Sequence, residues 1–135
     1  MWQPDVDREK RQHFRLDTDI PCSVCLPKGA KLPAVIVNLS VGGIKFRCSR
    51  DTAHRILPKD QRIPGQVSGV SIEIQFDLPS LPQEHHSFNA TARVIHSERL
   101  AEDVFHVGVQ FIHLNENDLT TLHGYIEANR PREYF

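Results

Sequence analysis

Short stretches in which apolar and polar residues alternate recur along this chain. The clearest one runs from Val70 to Leu78, where five apolar side chains alternate with Ser71, Glu73, Gln75 and Asp77. Such alternation places one row of side chains in a core and the other in solvent, which is typical of a strand in an antiparallel sheet. Similar runs are predicted at Ile20–Leu26, Pro33–Ser40, Ile44–Cys48, Phe88–Val94 and Phe105–Phe111.

The phase of each run predicts which side chains face the core. In Pro33–Ser40 we expect Val35, Val37 and Leu39 on the core face, with Asn38 and Ser40 on the opposite face. In the following run, Ile44, Phe46 and Cys48 should face the core, while Lys45 and Arg47 face outward as ordinary surface charges that could support a nearby anion.

The connections between these runs are short or irregular. Arg50–Gln66 contains Pro58 and Pro64 and is predicted to be a long connection with a short helical turn near 53–57. Pro79–His86 is predicted to be a loop, and Glu98–Glu102 a turn between the last two strands.

The C-terminal region carries the signals of a longer helix. Asn115 is a good N-cap, acidic residues follow it, and Arg130 and Pro131 end the pattern, so the helix should span about 115–129. Leu114 is placed to contact Leu119, and the predicted apolar stripe consists of Leu119, Leu122, Tyr125 and Ile126. Six strands and one terminal helix predict an all-β antiparallel barrel with a capping helix.

Composition limits the classes of protein to consider. The 135 residues are sufficient for one domain, 1–135, with its own core. The net charge of −1 gives no global basic field for a nucleic acid polymer. Three cysteines and the absence of a long apolar run indicate a cytoplasmic protein without a membrane span.

Two polar motifs carry the chemistry. Arg11 and Arg15 form an RxxxR motif within a charged N-terminal segment, 1–18, that we expect to be flexible. A guanidinium matches phosphate oxygens or the O6/N7 edge of guanine, and its face stacks on a base.

The second motif, Asn38-x-Ser40-x-x-Gly43, ends a predicted strand. An Asn amide can pair with a guanine edge, although more weakly than a carboxylate, and Gly42 and Gly43 allow positive φ and close approach of a ligand.

The order of these motifs, followed by Gly108-Val109-Gln110-Phe111 and a terminal helix, resembles the PilZ domain family. The resemblance covers roughly residues 8–128 and implies a six-stranded barrel, about 19–113, that binds the bacterial second messenger cyclic di-GMP. It assigns ligand contacts to Arg11, Arg15, Asn38, Ser40 and Gly43, with Lys10, Gly42 and Arg8 as weaker candidates.

The resemblance also implies a mode of action. Cyclic di-GMP would order the N-terminal segment, and an effector protein of motility, pilus or exopolysaccharide machinery would recognise the changed surface. In the family, the residue just before RxxxR influences whether one ligand or a stacked pair of ligands binds, and here that residue is Lys10. Whether the ligand also induces a dimer is left open. Two alternatives are a PilZ-like interaction domain that binds no nucleotide and a small barrel that binds single-stranded nucleic acid, which the slightly acidic chain disfavours.

Other chemical motifs are weak. Cys22 and Cys25 have CxxC spacing, but positions i and i+3 of a strand face opposite sides, and His85-His86 has no matching partners. Ser40 lacks the glycine two residues before it that a nucleophile elbow needs. We therefore expect no catalytic residues, no metal and no cofactor.

Overall fold

The computed structural model describes residues 14–57, 70–79 and 87–131. Within these ranges the chain forms six strands and two helices. The strands are β1 (Leu16–Cys25), β2 (Lys31–Leu39), β3 (Gly43–Cys48), β4 (Ser71–Asp77), β5 (Ser87–Ala101) and β6 (Val104–His113). The helices are α1 (Arg50–Ile56) and α2 (Glu116–Asn129).

The six strands close into one antiparallel barrel in the order β1-β2-β3-β6-β5-β4. Closure pairs every strand on both sides, so the barrel has no open sheet edge. The predicted antiparallel barrel with a C-terminal helix is confirmed.

The barrel interior is filled by the predicted apolar rows. Phe76 and Phe88 stack with ring centroids 5.0 Å apart, and Phe46 lies among the most deeply buried side chains. The predicted rows of β1, β3, β4, β5 and β6 supply most of this core: Ile20, Cys22, Val24, Ile44, Cys48, Ile72, Ile74, Ala90, Ala92, Val94, Phe105, Val107 and Val109.

The predicted phase of β2 is wrong over most of its length. Leu32, Ala34 and Ile36 face the core, whereas Val35 and Val37 do not. Between β2 and β3, Ile36 pairs with Phe46 and Asn38 pairs with Lys45, so Val37 is an extra residue in a β-bulge. The bulge shifts the alternation by one residue and returns Leu39 to the core.

Three boundaries differ from those predicted. β1 begins at Leu16, so 16–18 belong to the barrel rather than to the N-terminal segment. α1 is a seven-residue helix capped by Ser49, whose side chain accepts from the backbone N–H of Thr52. β5 continues to Ala101 because it projects beyond the core as a ribbon exposed on both faces, where alternation no longer marks a strand.

α2 begins as predicted and buries a slightly different face. The Asn115 side chain accepts from the Asp118 backbone N–H at 2.8 Å, and the helix ends at Arg130. Leu122 and Ile126 are buried, but Leu119 is 42% exposed and so does not belong to the buried stripe. The contact of Leu114 with Leu119 stays a prediction. Asp118 is buried instead, and its carboxylate accepts a 3.1 Å hydrogen bond from the Asn115 amide, which offsets part of the cost of burial. No helix in the described ranges is long and apolar enough to cross a membrane.

The three cysteines are free thiols in different environments. Cys22 and Cys48 are buried, whereas Cys25 is partly exposed, which confirms that the CxxC pair does not converge. Burial, with a smaller contribution from Cys48, raises the pKa of the Cys22 thiol to about 12, and burial raises that of Cys48 to about 11.

These environments predict selective thiol chemistry. Since the thiolate is the reactive form, iodoacetamide at pH 8 should modify Cys25 in the native protein and reach Cys22 and Cys48 only after denaturation. Peptide mass spectrometry before and after urea treatment measures this. Rapid native modification of Cys22 would contradict the burial of the β1 core row.

Candidate ligand-binding face

Arg15, the last residue of RxxxR, lies next to the second motif at one end of the β1–β2 ladder. Leu16 pairs with Leu39, so Arg15 and Ser40 are the next residues along the two strands at that end. Arg15 is exposed and forms no hydrogen bond or ion pair with another described residue, which leaves its guanidinium available. Arg8, Lys10 and Arg11 lie outside the described residues, so their predicted roles stay predictions.

Phe14 anchors the chain immediately before Arg15. Its ring is partly buried against the core, and the Arg130 guanidinium lies 4.5 Å from the ring centroid. This cation–π contact joins the RxxxR motif to the C-terminal end of α2. Sequence reasoning missed the pairing because residues 14 and 130 are distant in the chain.

The contact should have a measurable energy. We expect Arg130→Ala to lower the free energy of unfolding by about 0.5 to 1 kcal/mol, the usual value of an exposed cation–π pair. A double-mutant cycle with Phe14→Leu in urea denaturation removes the contribution of the Arg130–Glu127 ion pair at 3.4 Å. If Arg130→Ala costs the same with and without the Phe14 ring, the two side chains are not coupled.

Asn38 lies on the outer face, beside an acid. Its side-chain amide Nδ2 donates a hydrogen bond to Asp17 Oδ1 at 3.3 Å. In the strand register, Asn38 lies opposite Asp17 on β1 and Lys45 on β3. The side chain is half-buried, while Leu39 beside it is buried. The predicted direction of Asn38, opposite to Leu39, therefore holds despite the bulge.

Ser40 builds the turn that follows β2. Its Oγ accepts from the backbone N–H groups of Gly42 and Gly43 at 3.2 and 3.1 Å and donates to the Gly43 carbonyl at 3.2 Å. The Ser40 backbone N–H also donates to this carbonyl at 3.0 Å. With 8% of its surface exposed, Ser40 fixes the shape of the turn. Direct contact between Ser40 and a ligand stays a prediction.

Gly43 has a packing role that the sequence did not reveal. A Cβ at this position would overlap the backbone carbonyl oxygen of Val109 and lie 3.2 Å from the Gln110 Cα. Its φ is not positive, and among the described residues only Gly29 has positive φ, at 93°. Glycine is therefore needed here for the close approach of β3 to β6, and a ligand contact at Gly43 or Gly42 stays a prediction.

The outer face beside Asn38 is cationic. Lys45 and Arg47 project from β3, and Arg47 pairs with His106 on β6. Burial, followed by the charges of Lys45 and Arg47, lowers the pKa of His106 in spite of the opposing effect of Glu98. Two cations thus lie close to His106 on this face, although the chain as a whole is slightly acidic.

Other features of the described residues lie apart from this face. A cavity of about 740 Å³ between β1, β4 and β5 is lined by residues that include Ser23, Gln75 and Asn89, and by no predicted ligand residue. The described ranges contain no cluster of three or more His, Cys, Asp or Glu side chains suited to a metal ion. His85 and His86 lie outside those ranges.

The fold of the described residues is a small closed six-stranded antiparallel barrel with a C-terminal helix. The model of the PilZ domain family matches residues 9–128, and the chain belongs to this family. The predicted resemblance is confirmed. Comparison with curated proteins found no match.

Solved structures share the fold at low identity. The chain is similar to the Bacillus subtilis inhibitor of motility MotI/DgrA, with 17% identity, a TM-score of 0.62 and coverage of 90% of this chain and 53% of that one. It is similar to the PilZ domain of Escherichia coli YcgR with c-di-GMP, with 16% identity, a TM-score of 0.58 and coverage of 89% and 91%. It is also similar to the K. pneumonia MrkH–c-di-GMP complex, with 12% identity, a TM-score of 0.62 and coverage of 87% and 51%. The chain thus spans about half the length of MotI and MrkH.

Proposed function

We propose that this protein is a cyclic di-GMP receptor and acts as an adaptor rather than as an enzyme. The observation that carries the proposal is the register of β1 and β2, which brings Arg15 to the Ser40–Gly43 turn and sets Asn38 on the adjoining outer face. PilZ relatives of the same fold have been solved with c-di-GMP, which supports this choice of ligand.

Each residue has a role in this proposal. Arg11 and Arg15 bind phosphate and stack on guanine, since a guanidinium offers both a donor fork and a flat face. Asn38 pairs with a guanine edge after its amide exchanges the 3.3 Å hydrogen bond to Asp17 for one to the base. Ser40 and Gly43 hold the turn in place, and Lys10, Gly42 and Arg8 are secondary contacts.

In this proposal, the protein signals because its N-terminal segment becomes ordered when cyclic di-GMP binds. The entropic cost of ordering is offset by charge-assisted hydrogen bonds, and the ligand shifts the population because it binds the closed segment more tightly. A bacterial, cytoplasmic effector of motility, pilus or exopolysaccharide production would then recognise the closed surface. Hydrogen exchange in residues 8–17 that is unchanged by saturating ligand would rule out this mechanism.

One observation favours the alternative of an interaction domain that binds no nucleotide. The Ser40 hydroxyl and the Asn38 amide already have hydrogen-bond partners within the chain. Polar groups that are satisfied without a ligand gain less from binding one, because existing bonds must first be exchanged.

Isothermal titration calorimetry with cyclic di-GMP separates the two functions. Saturable binding of cyclic di-GMP, with no binding of GTP or GMP at the same concentrations, supports the receptor. The fitted stoichiometry distinguishes one ligand from a stacked pair. A folded protein that binds none of these nucleotides would instead support the interaction domain.

A further inference from the structure

A row of outward-facing positions runs from Asn38 across three more strands. Asn38 pairs with Lys45 on β3, Lys45 pairs with Gly108 on β6, and Gly108 pairs with His96 on β5. Paired residues of neighbouring strands point to the same side of a sheet, about 4.8 Å apart. Gly108 thus lies roughly 10 Å from Asn38, a distance that two strand spacings set.

Gly108 leaves a bare patch of backbone in this row. A Cβ there would have as its nearest neighbour the His96 Cβ at 3.6 Å, which is ordinary van der Waals contact, and its φ is not positive. Packing therefore does not require glycine at 108, in contrast to Gly43. Glycine within a strand weakens the strand, and its usual uses include the close approach of a ligand.

The side chains around this bare patch carry mostly nitrogen donors. Lys45 and His96 flank Gly108 within the row, and His106 and Gln110 flank it along β6. Arg47 and Arg93 occupy diagonal positions, with Glu98 as the opposing charge. The Arg47 guanidinium lies 3.8 Å from the Asp19 carboxylate, and both side chains are well exposed. Solvent therefore screens this pair, and an anion can compete for the arginine.

We propose that Lys45 and Gly108 form the second half of the nucleotide site, where Lys45 binds a phosphate and the bare backbone of Gly108 receives the face of the second base. The inference rests on the proposed function and extends it from the edge of the barrel onto its β3–β6 face. A base stacked over Gly108 lies flat on the sheet, which a side chain at this position would prevent. The ammonium of Lys45 stands between Asn38 and Gly108, where a phosphate that joins the two nucleosides would pass.

Two substitutions test the two contacts separately. Lys45→Gln removes the charge and should weaken cyclic di-GMP binding about tenfold or more, as expected for loss of a charge-assisted hydrogen bond. The affinity of this variant should also depend less on salt concentration. Gly108→Val places a branched side chain on the bare patch and should weaken binding by a similar factor, while thermal unfolding shows a barrel at least as stable as wild type, since Val favours strands.

The control repeats the lysine-to-glutamine change at a position outside the row that runs from Asn38 to His96. Lys31→Gln removes an exposed lysine at the start of β2 and should leave the affinity unchanged. Arg15→Ala reports on the proposed function itself. If Arg15→Ala abolishes binding while Lys45→Gln and Gly108→Val both bind as wild type does, the receptor stands and the extended site is wrong. If the wild type does not bind, the receptor proposal fails, and the extended site with it.

A titration of His106 gives a second measurement that does not depend on a variant. The groups that face it are Lys45 and Arg47 on β3, Glu98 opposite it on β5, and His96 one row away. An anion bound beside Lys45 favours the imidazolium, so the pKa of His106 should rise when cyclic di-GMP binds. Binding should therefore take up protons and tighten as the pH falls through this pKa. An NMR titration in which the His106 pKa is the same with and without saturating ligand would contradict a phosphate at Lys45.

Discussion

Gly43→Ala should lower the free energy of unfolding by about 3 kcal/mol, at the upper end of the cost of overpacking. The added Cβ would overlap the Val109 carbonyl oxygen, a backbone atom that cannot rotate away as a side chain can. Relief requires β3 and β6 to separate where Gly43 pairs with Gln110. The Phe111 N–H to Gly42 carbonyl hydrogen bond, at 3.0 Å, lies at the same place and would be strained with it. Urea denaturation followed by circular dichroism measures the change.

The matched control is the same substitution at Gly124 in α2. A Cβ there meets nothing within 4 Å. Because glycine is unfavourable within a helix, Gly124→Ala should stabilise the protein by up to about 1 kcal/mol. The two glycine-to-alanine changes should therefore have opposite signs. Equal effects would mean that β3 and β6 do not approach as closely as described.

The barrel could be predicted from the sequence because most strands bury one face and expose the other. β4 shows this best, since Ile72, Ile74 and Phe76 alternate with polar residues along its whole length. β2 could not be placed by the same rule. Its residues at 35, 36 and 37 are all apolar, so the alternation fits either phase, and the bulge at Val37 is set by pairing with β3 rather than by any local signal.

The site was predictable only in part, for a related reason. Motif spacing indicated Arg15, Asn38 and Ser40, and the register of β1 and β2 brings these residues to one end of the barrel. Lys45, Gly108 and His106 come together only across the β3–β6 pairing, which joins residues more than 50 positions apart. Alternation indicates which side chains point outward, but it carries no information on which strands become neighbours.

The largest effect expected on ligand binding is that of Arg15→Ala. Removing the guanidinium should weaken cyclic di-GMP binding by about 1.5 to 3 kcal/mol, roughly ten- to hundredfold, the usual value of hydrogen bonds to a charged group. The position of Arg15 supports a large effect, because Phe14 is held between the core and Arg130 and so fixes the backbone beside it. A positioned arginine loses less entropy on binding than one in a free segment.

Stability measurements distinguish a lost ligand contact from a general loss of folding in the Arg15→Ala variant. Arg15 is exposed, so its replacement should change the free energy of unfolding by less than about 0.5 kcal/mol. Arg55→Ala removes another exposed arginine, in α1, and should change neither stability nor affinity. A loss of affinity in both variants would indicate a general charge effect, whereas a loss confined to Arg15→Ala would assign the binding energy to the end of the β1–β2 ladder. Undiminished affinity of the Arg15 variant would mean that cyclic di-GMP, if bound, is held elsewhere on the barrel.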